Sequence, residues 1–238
     1  MTGGRRMMQV LIGTSGFSYP AWRGGFYPEK LPETKMLAHY STIFRAVEIN
    51  NSFYRMPTAE VLAKWSGETP PEFRFTLKSP KRITHDKRLV DVASSVARLA
   101  EAAVSLGDKL GPILFQLPPN MRKDLPRLDD FLASLPAGLR ATVEFRHESW
   151  FAEDVYACLR NRQAALCVAE SETVATPLVA TTDWGYLRLR REDYDDAMVA
   201  AWGERIKTQP WSQTYVFFKH EDTGKGPVAA SRLRELME

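Results

Sequence analysis

Glu48 and Glu144 have the strongest claim to chemistry in this chain. Each stands near the end of a short β-type segment, on a face where an apolar side chain would be expected. In the segment 141–147 (ATVEFRH) a period of two puts Val143 and Phe145 on one face and Glu144 and Arg146 on the other. The same phase pairs Glu48 with Asn50 in 46–50 (AVEIN) and Thr76 with Lys78 in 73–78 (FRFTLK). It also picks out Gln116 in 113–117 (ILFQL), and Arg188 with Arg190 in 186–190 (YLRLR). Charges entering a low-dielectric interior are costly unless paired, so their gathering at strand ends points to a site rather than a hydrophobic seam.

Two carboxylates in unlike surroundings titrate apart and can then serve as general acid and general base, the catalytic roles assigned here to Glu48 and Glu144. The alternative is that they pair with Arg146, Arg188 or Lys78 and neutralise the region, because ion-pair networks imitate sites. Arg146 and Arg188 carry the planar fork that matches a carboxylate or phosphate, and Lys78 shares either role. Asn50, Gln116, His85 and His147 complete the expected substrate-binding set. His85, His147 and His220 follow the third, fifth and eighth segments and, with the two glutamates, would make an oxygen and nitrogen shell for a metal. Their spacing matches no metal motif, and there is no HExxH, paired-cysteine set or acidic EF-type loop. A divalent metal is therefore admitted but not favoured, no metal ligand is assigned, and the cofactor is left open. His39 falls in a helical segment and receives no role.

Gly13 and Gly16 bracket a small-residue loop whose backbone N–H groups suit an anion, yet the pattern lacks the later glycine of a dinucleotide fingerprint and any Walker lysine. A tight strand-to-helix turn is the expectation. The loop continues into Phe17, Tyr19, Trp22, Phe26 and Tyr27, and later loops add Phe53, Tyr54 and Trp150. Such rings stack on sugars or bases, but most are expected to pack beneath loops.

Eight strand-like segments begin near residues 11, 46, 73, 112, 141, 165, 186 and 214, a spacing that suits repeated strand–helix units. Helical periodicity fills the intervals at 34–44, 59–65, 88–106, 125–135, 152–160, 195–206 and 228–237. The pattern predicts an α/β fold, a single (β/α)8 TIM barrel over 7–238. The sixth unit is irregular because its crossover runs through Pro177. A doubly wound open sheet is the alternative, but polar groups spread around all the segments suit a barrel, whose strands direct their C-terminal ends to one mouth. Residues 1–6 read as a flexible leader.

Over 238 residues, a hydrophobic fraction of 44% and a charged fraction of 26% exclude a disordered chain. No apolar run reaches bilayer length, so a cytoplasmic protein with no membrane partner is expected. Cys158 and Cys167 lack CxxC spacing and read as reduced core residues. The net charge of +3 permits a polyanionic partner without requiring one, and the basic pairs are scattered.

The ordered series of motifs resembles the DUF72 (YecE-like) family. Its carriers are Gly13-Thr-Ser-Gly16-Phe17 with Tyr19 and Trp22, Val47-Glu48-Ile49-Asn50, Ser52-Phe53-Tyr54, Lys78, Thr84-His85, the run 110–119 (LGPILFQLPP), and Glu144-Phe145-Arg146-His147 with Trp150. The resemblance spans nearly the whole chain and implies a TIM-barrel fold with no settled activity. Two departures lie near the C-terminus. Arg188-Leu189-Arg190-Arg191 stands where Arg-Leu-His-Gly is usual, and Phe217-Phe218-Lys219-His220 stands where an Asn-rich strand end is usual. The extra cations bear on the ligand.

Three functions fit these residues. The leading one is an enzyme, a hydrolase or isomerase, acting on a polar or anionic small molecule or nucleotide-like group by acid/base chemistry at the C-terminal mouth. The others are non-catalytic binding of an anionic metabolite or nucleic acid, and metal-assisted phosphodiester hydrolysis. Oligomeric state is not legible.

Overall fold

The computed structural model describes residues 8–172, 175–219 and 224–238. Its strands are β1 (Gln9–Ser15), β2 (Ala46–Ile49), β3 (Arg74–Lys78), β4 (Leu110–Gln116), β5 (Ala141–Glu144), β6 (Ala165–Glu170), β7 (Trp184–Leu189) and β8 (Gln213–Phe218). Each pairs in parallel with the next, and β8 pairs with β1, closing the expected (β/α)8 barrel. The leader expected at 1–6 and His220 lie outside the described residues.

The helices are α1 (Met36–Ile43), α2 (Ala59–Gly67), α3 (Ala93–Ala103), α4 (Leu125–Ala133), α5 (Glu153–Asn161), α6 (Asp196–Lys207) and α7 (Lys225–Met237). Three begin at side-chain caps legible in the sequence, where Thr58, Asp124 and Asp195 accept from the backbone N–H of Val61, Arg127 and Met198. The third helix starts later than its periodicity predicts. Arg88, Leu89 and Asp91 have φ of 47°, 70° and 51°, which a right-handed helix cannot include. Leu89 and Val92 are nevertheless buried in the core, so their spacing reflected packing rather than helix. The irregular sixth unit is present: among the described residues of the β6–β7 crossover there is no helix.

Two apolar layers separate by strand phase. Ile12, Val47, Ile49, Phe75, Leu77, Phe115 and Val143 face outward to the helices. Leu11, Ala46, Leu114, Cys167, Trp184, Tyr186, Tyr215 and Phe217 fill the barrel. Within β6 the inward positions are small, Ala165 and Cys167, which leaves room for long side chains arriving from β7. Both cysteines are free and buried.

The β1–β2 seam is set by α1. Tyr40 Oη accepts from the Thr14 backbone N–H at 2.7 Å and donates to the Ala46 carbonyl at 3.0 Å. Gly13 is required there, because a Cβ would stand 1.9 Å from that carbonyl oxygen. This closeness brings Ser15 into register with Glu48.

Candidate functional site

At the C-terminal end of the barrel, inward-facing polar residues form two levels. The lower level is closed: Ser15, Glu48, Thr76, Glu144, Tyr186 and Arg188 are all buried. The upper level, Asn50, Lys78, Gln116, Arg146 and Arg190, is only partly buried and forms the rim.

Arg188 organises the lower level. Its Nη1 donates to Glu144 Oε2 at 2.6 Å, and its Nη2 and Nε donate to Glu48 Oε1 at 2.8 and 3.1 Å. Reaching from β7 over the small β6 side chains to β5, and across the barrel to β2, it holds both carboxylates at once. The other carboxylate oxygens are engaged as well. Ser15 Oγ donates to Glu48 Oε1 at 2.7 Å, and Tyr186 Oη donates to Glu48 Oε2 at 2.7 Å. Gln116, the register partner of Glu144, donates to its Oε1 at 3.0 Å. Desolvating each ion costs several kcal/mol, which only such complete pairing offsets.

The titration behaviour follows. Burial pushes the Glu48 carboxyl up, but the Arg188 charge and hydrogen bonds from Tyr186, Arg188 and Ser15 outweigh it, and the net shift is downward. Burial opposes ionisation of Glu144 too, and Arg188, Arg190 and Lys78 together pull it below its ordinary value. Both groups are thus held as carboxylates at neutral pH.

On the rim, Arg146 makes ion-pair contact with Glu144 Oε1 while its Nε completes no hydrogen bond. The Arg190 Nε is buried without a hydrogen-bond partner. Asn50 Oδ1 accepts from Arg188 Nη2 at 3.4 Å. Lys78 Nζ stands 4.2 Å from the centroid of Phe53 and makes no hydrogen bond or ion pair among the described residues. Burial and the charges of Arg188 and Arg190 lower its pKa to about 8, against the opposing pull of Glu144 and Glu48.

Of the predicted residues, Glu48, Glu144, Asn50, Gln116, Arg146 and Arg188 are joined by direct contacts, and Lys78 joins them through its field. His85 stands one ring away: it packs edge-on against Phe53 at 4.9 Å, with Nδ1 2.9 Å from Thr84 Oγ1. His147 is not brought into the network. It caps the short helical turn Glu148–Trp150, accepting from the Ser149 N–H at 3.2 Å. Among the described residues no three His, Cys, Asp or Glu side chains converge as a metal shell, so His85 and His147 do not join the glutamates around one point. Sequence reasoning missed Ser15 and Tyr186 as partners, and picked out Arg190 by its phase without giving it a binding role. The inward phase of their strands was the available signal, since Tyr186, Arg188 and Arg190 alternate on one face.

Beside Asn50 opens a cleft of ≈ 380 Å³ lined by Phe17, Ser18, Tyr19, Asn50 and Asn51 among others. Most of the mouth-loop aromatics are packing elements: Trp22, Tyr27, Phe53 and Trp150 are buried, whereas Tyr54 is 83% exposed. Gly16, at φ 94°, makes the tight turn after β1 and donates its N–H to the Glu48 carbonyl.

Comparisons with known proteins agree with this architecture. A family model described as "Protein of unknown function DUF72" matches residues 11–238. The UPF0759 protein YecE of Escherichia coli K12 is 32% identical over 145 residues, covering 60% of this chain and 51% of that protein. The UPF0759 protein YunF of Bacillus subtilis is 30% identical over 155 residues, 62% of this chain and 54% of its own. The aligned regions span about half the length of these curated relatives. A DUF72 family protein of Thermotoga maritima superposes with a TM-score of 0.83 at 26% identity, covering 96% of this chain and 99% of that one. One from Enterococcus faecalis gives 0.81 at 17% identity, a likeness of fold, over 96% and 95% of the two chains. No helix among the described residues is long and apolar enough to cross a membrane.

Proposed function

The chain belongs to the DUF72 family, and from that premise we propose that it is an enzyme that holds an anionic small molecule at the C-terminal mouth of the barrel, against Lys78, Arg146 and Arg190. One observation carries this reading: two carboxylates are enclosed with four cationic side chains, and Arg188 alone already spans both carboxylates. Among the described residues the rim therefore keeps more positive charge than its carboxylates cancel, at a partly desolvated position where it attracts an anion most strongly.

Proton chemistry then depends on the ligand. An anion on Arg146 competes with Glu144 for that cation, and a buried carboxylate relieved of a partner rises toward neutrality. Glu144 becomes a proton carrier when the site fills, with Glu48 left as the fixed counterion of Arg188. A second reading, binding without turnover, is favoured by the engagement of both carboxylates, whose every oxygen already accepts from a protein donor.

Calorimetric titration with inorganic phosphate tests the proposal. Arg146→Met and Arg190→Met should each weaken binding by about tenfold or more, the value of one charge-assisted hydrogen bond, and added salt should weaken the wild type. Affinity unchanged in both variants would remove the assigned anion site. Run with sulfate at pH 6 in buffers of different ionisation enthalpy, where the anion does not titrate and Lys78 is already protonated, the same titration reports proton uptake by Glu144. Uptake that vanishes in Glu144→Gln supports the enzyme, and binding without uptake supports the second reading.

A further inference from the structure

Lys78 is unlike the other cations of the mouth. Arg188 and Arg146 face carboxylates, whereas the Lys78 amine rests on the face of Phe53 at 4.2 Å with no hydrogen bond or ion pair among the described residues. The carboxylates nearest in charge, Glu48 and Glu144, are consumed by Arg188, Ser15, Tyr186 and Gln116. An amine left unpaired at a strand end, beside Arg190, whose Nε is also without a hydrogen-bond partner, has the placement of a nucleophile.

We infer that Lys78 captures the carbonyl group of an anionic aldehyde or 2-oxo acid as an imine, with the rim arginines holding the substrate's anionic group. The inference deepens the anion-site reading and rests on it. The groups acting on the amine are Glu48 from β2, Glu144 from β5, Arg188 from β7, Arg190 beyond it, and His85 from the β3–α3 connection. Their balance with burial holds the amine near pKa 8, so about a quarter is neutral at pH 7.5, against about a thousandth of an ordinary lysine.

The step balances without a redox partner. The neutral Nζ lone pair forms the N–C bond while the C=O π pair moves to oxygen, which takes a proton as nitrogen loses one. The carbinolamine hydroxyl takes a second proton and the C–O bond breaks, releasing water. The sum is amine, carbonyl compound and one proton giving a protonated imine and water. His85 suits the proton transfers: burial and the nearby Lys78 and Lys81 hold its pKa down, its Nδ1 is engaged with Thr84, and its ring packs against the same Phe53 that carries the Lys78 amine.

Reductive trapping tests this on the full chain, with pyruvate as probe, acetone as its uncharged counterpart, cyanoborohydride as reductant and peptide mapping as readout. With pyruvate at pH 7.5, Lys78 should be modified on the order of tenfold faster than the other lysines. Its rate should be half-maximal near pH 8, with protection by phosphate and no adduct at position 78 in Lys78→Arg. Modification spread evenly over the lysines would overturn the inference. Phosphate binding without a Lys78 adduct overturns imine capture and leaves the anion site standing. An adduct formed equally fast with acetone, without phosphate protection, overturns the anionic substrate and the anion-site reading beneath it. Neither binding nor adduct removes both.

Discussion

Two arginines occupy opposite ends of this barrel and are satisfied by different means. At the N-terminal end Arg140 is partly buried. Its guanidinium lies 4.3 Å from the Trp184 ring centroid and 5.5 Å from that of Tyr215, and Nη1 donates to Gln213 Oε1 at 2.7 Å. No carboxylate approaches it among the described residues, and it borders a groove of ≈ 740 Å³ open to solvent. At the C-terminal end Arg188 is sealed in and holds two carboxylates. A cation at a wet rim needs only ring faces and neutral acceptors, because water screens the rest. A cation inside the barrel must be matched in full charge. By this contrast the buried Glu48–Arg188–Glu144 network is foundation, and the partly exposed rim above it is where the proposed anion site lies.

Removing Arg188 should give the largest effect. Arg188→Met leaves two enclosed carboxylates without their shared cation, and a loss of about 5 kcal/mol is expected from denaturant midpoints, enough to unfold much of the population. Replacing the whole triad, by Glu48→Gln, Glu144→Gln and Arg188→Met together, should recover most of that loss, because the sealed level then holds no unpaired charge and only the partly exposed Arg146 lacks its carboxylate. A single variant as stable as wild type would show the network to be solvated, and the contrast between the two ends would collapse.

Glu144→Gln comes next. It keeps the side-chain shape, but the charge on Arg188, Arg146 and Arg190 loses a partner, and about 3 kcal/mol should be lost. Phosphate affinity should move the other way, rising as a competing anion leaves the rim. Lower stability with tighter phosphate binding would separate the foundation role of Glu144 from its effect on the ligand. Weaker phosphate binding would place Glu144 among the groups that hold the ligand directly.

Acid should expose the same network more gently. Glu48 and Glu144 both titrate below their unfolded values in the folded chain. Their stabilisation is therefore fully present above the unfolded carboxyl pKa of about 4.3 and is lost as pH falls through the lower folded values. As pH falls below the unfolded carboxyl value the wild type should lose more stability than the triad variant. Parallel curves for the two proteins would mean that other carboxylates dominate acid unfolding.

The legible part of this site was its phase. Alternation along β2, β3, β4, β5 and β7 placed Glu48, Lys78, Gln116, Glu144 and Arg188 on the inward face, and the barrel followed from the spacing of eight such segments. What a linear reading does not contain is distance across the barrel. That Arg188 reaches both β2 and β5 depends on the small inward side chains of β6, and nothing in 186–190 says which carboxylate it meets. His147 shows the converse. Adjacent in sequence to Arg146, it turns away because β5 has ended at Glu144 and the chain enters a helical turn that His147 caps. The positive φ values at Arg88, Leu89 and Asp91 were hidden because Leu89 and Val92 bury as helical residues would.

Arg140→Met should produce the smallest effect and completes the contrast. The substitution removes the cation from the Trp184 and Tyr215 faces and leaves Gln213 without its donor, while methionine still covers the rings. An exposed cation–π contact contributes roughly 0.5–1 kcal/mol, and the Gln213 amide, itself partly exposed, regains water, so a loss of about 1 kcal/mol is expected. The change should not depend on pH between about 3 and 8, because no carboxylate among the described residues pairs with Arg140. A double-mutant cycle with Trp184→Phe, measured by urea unfolding, checks the source of the effect. Coupling of a few tenths of a kcal/mol or more assigns it to the ring face. A loss as large as that of Arg188→Met would mean that the N-terminal end of the barrel is as dry as the C-terminal end, and that solvent access is not what distinguishes the two arginines.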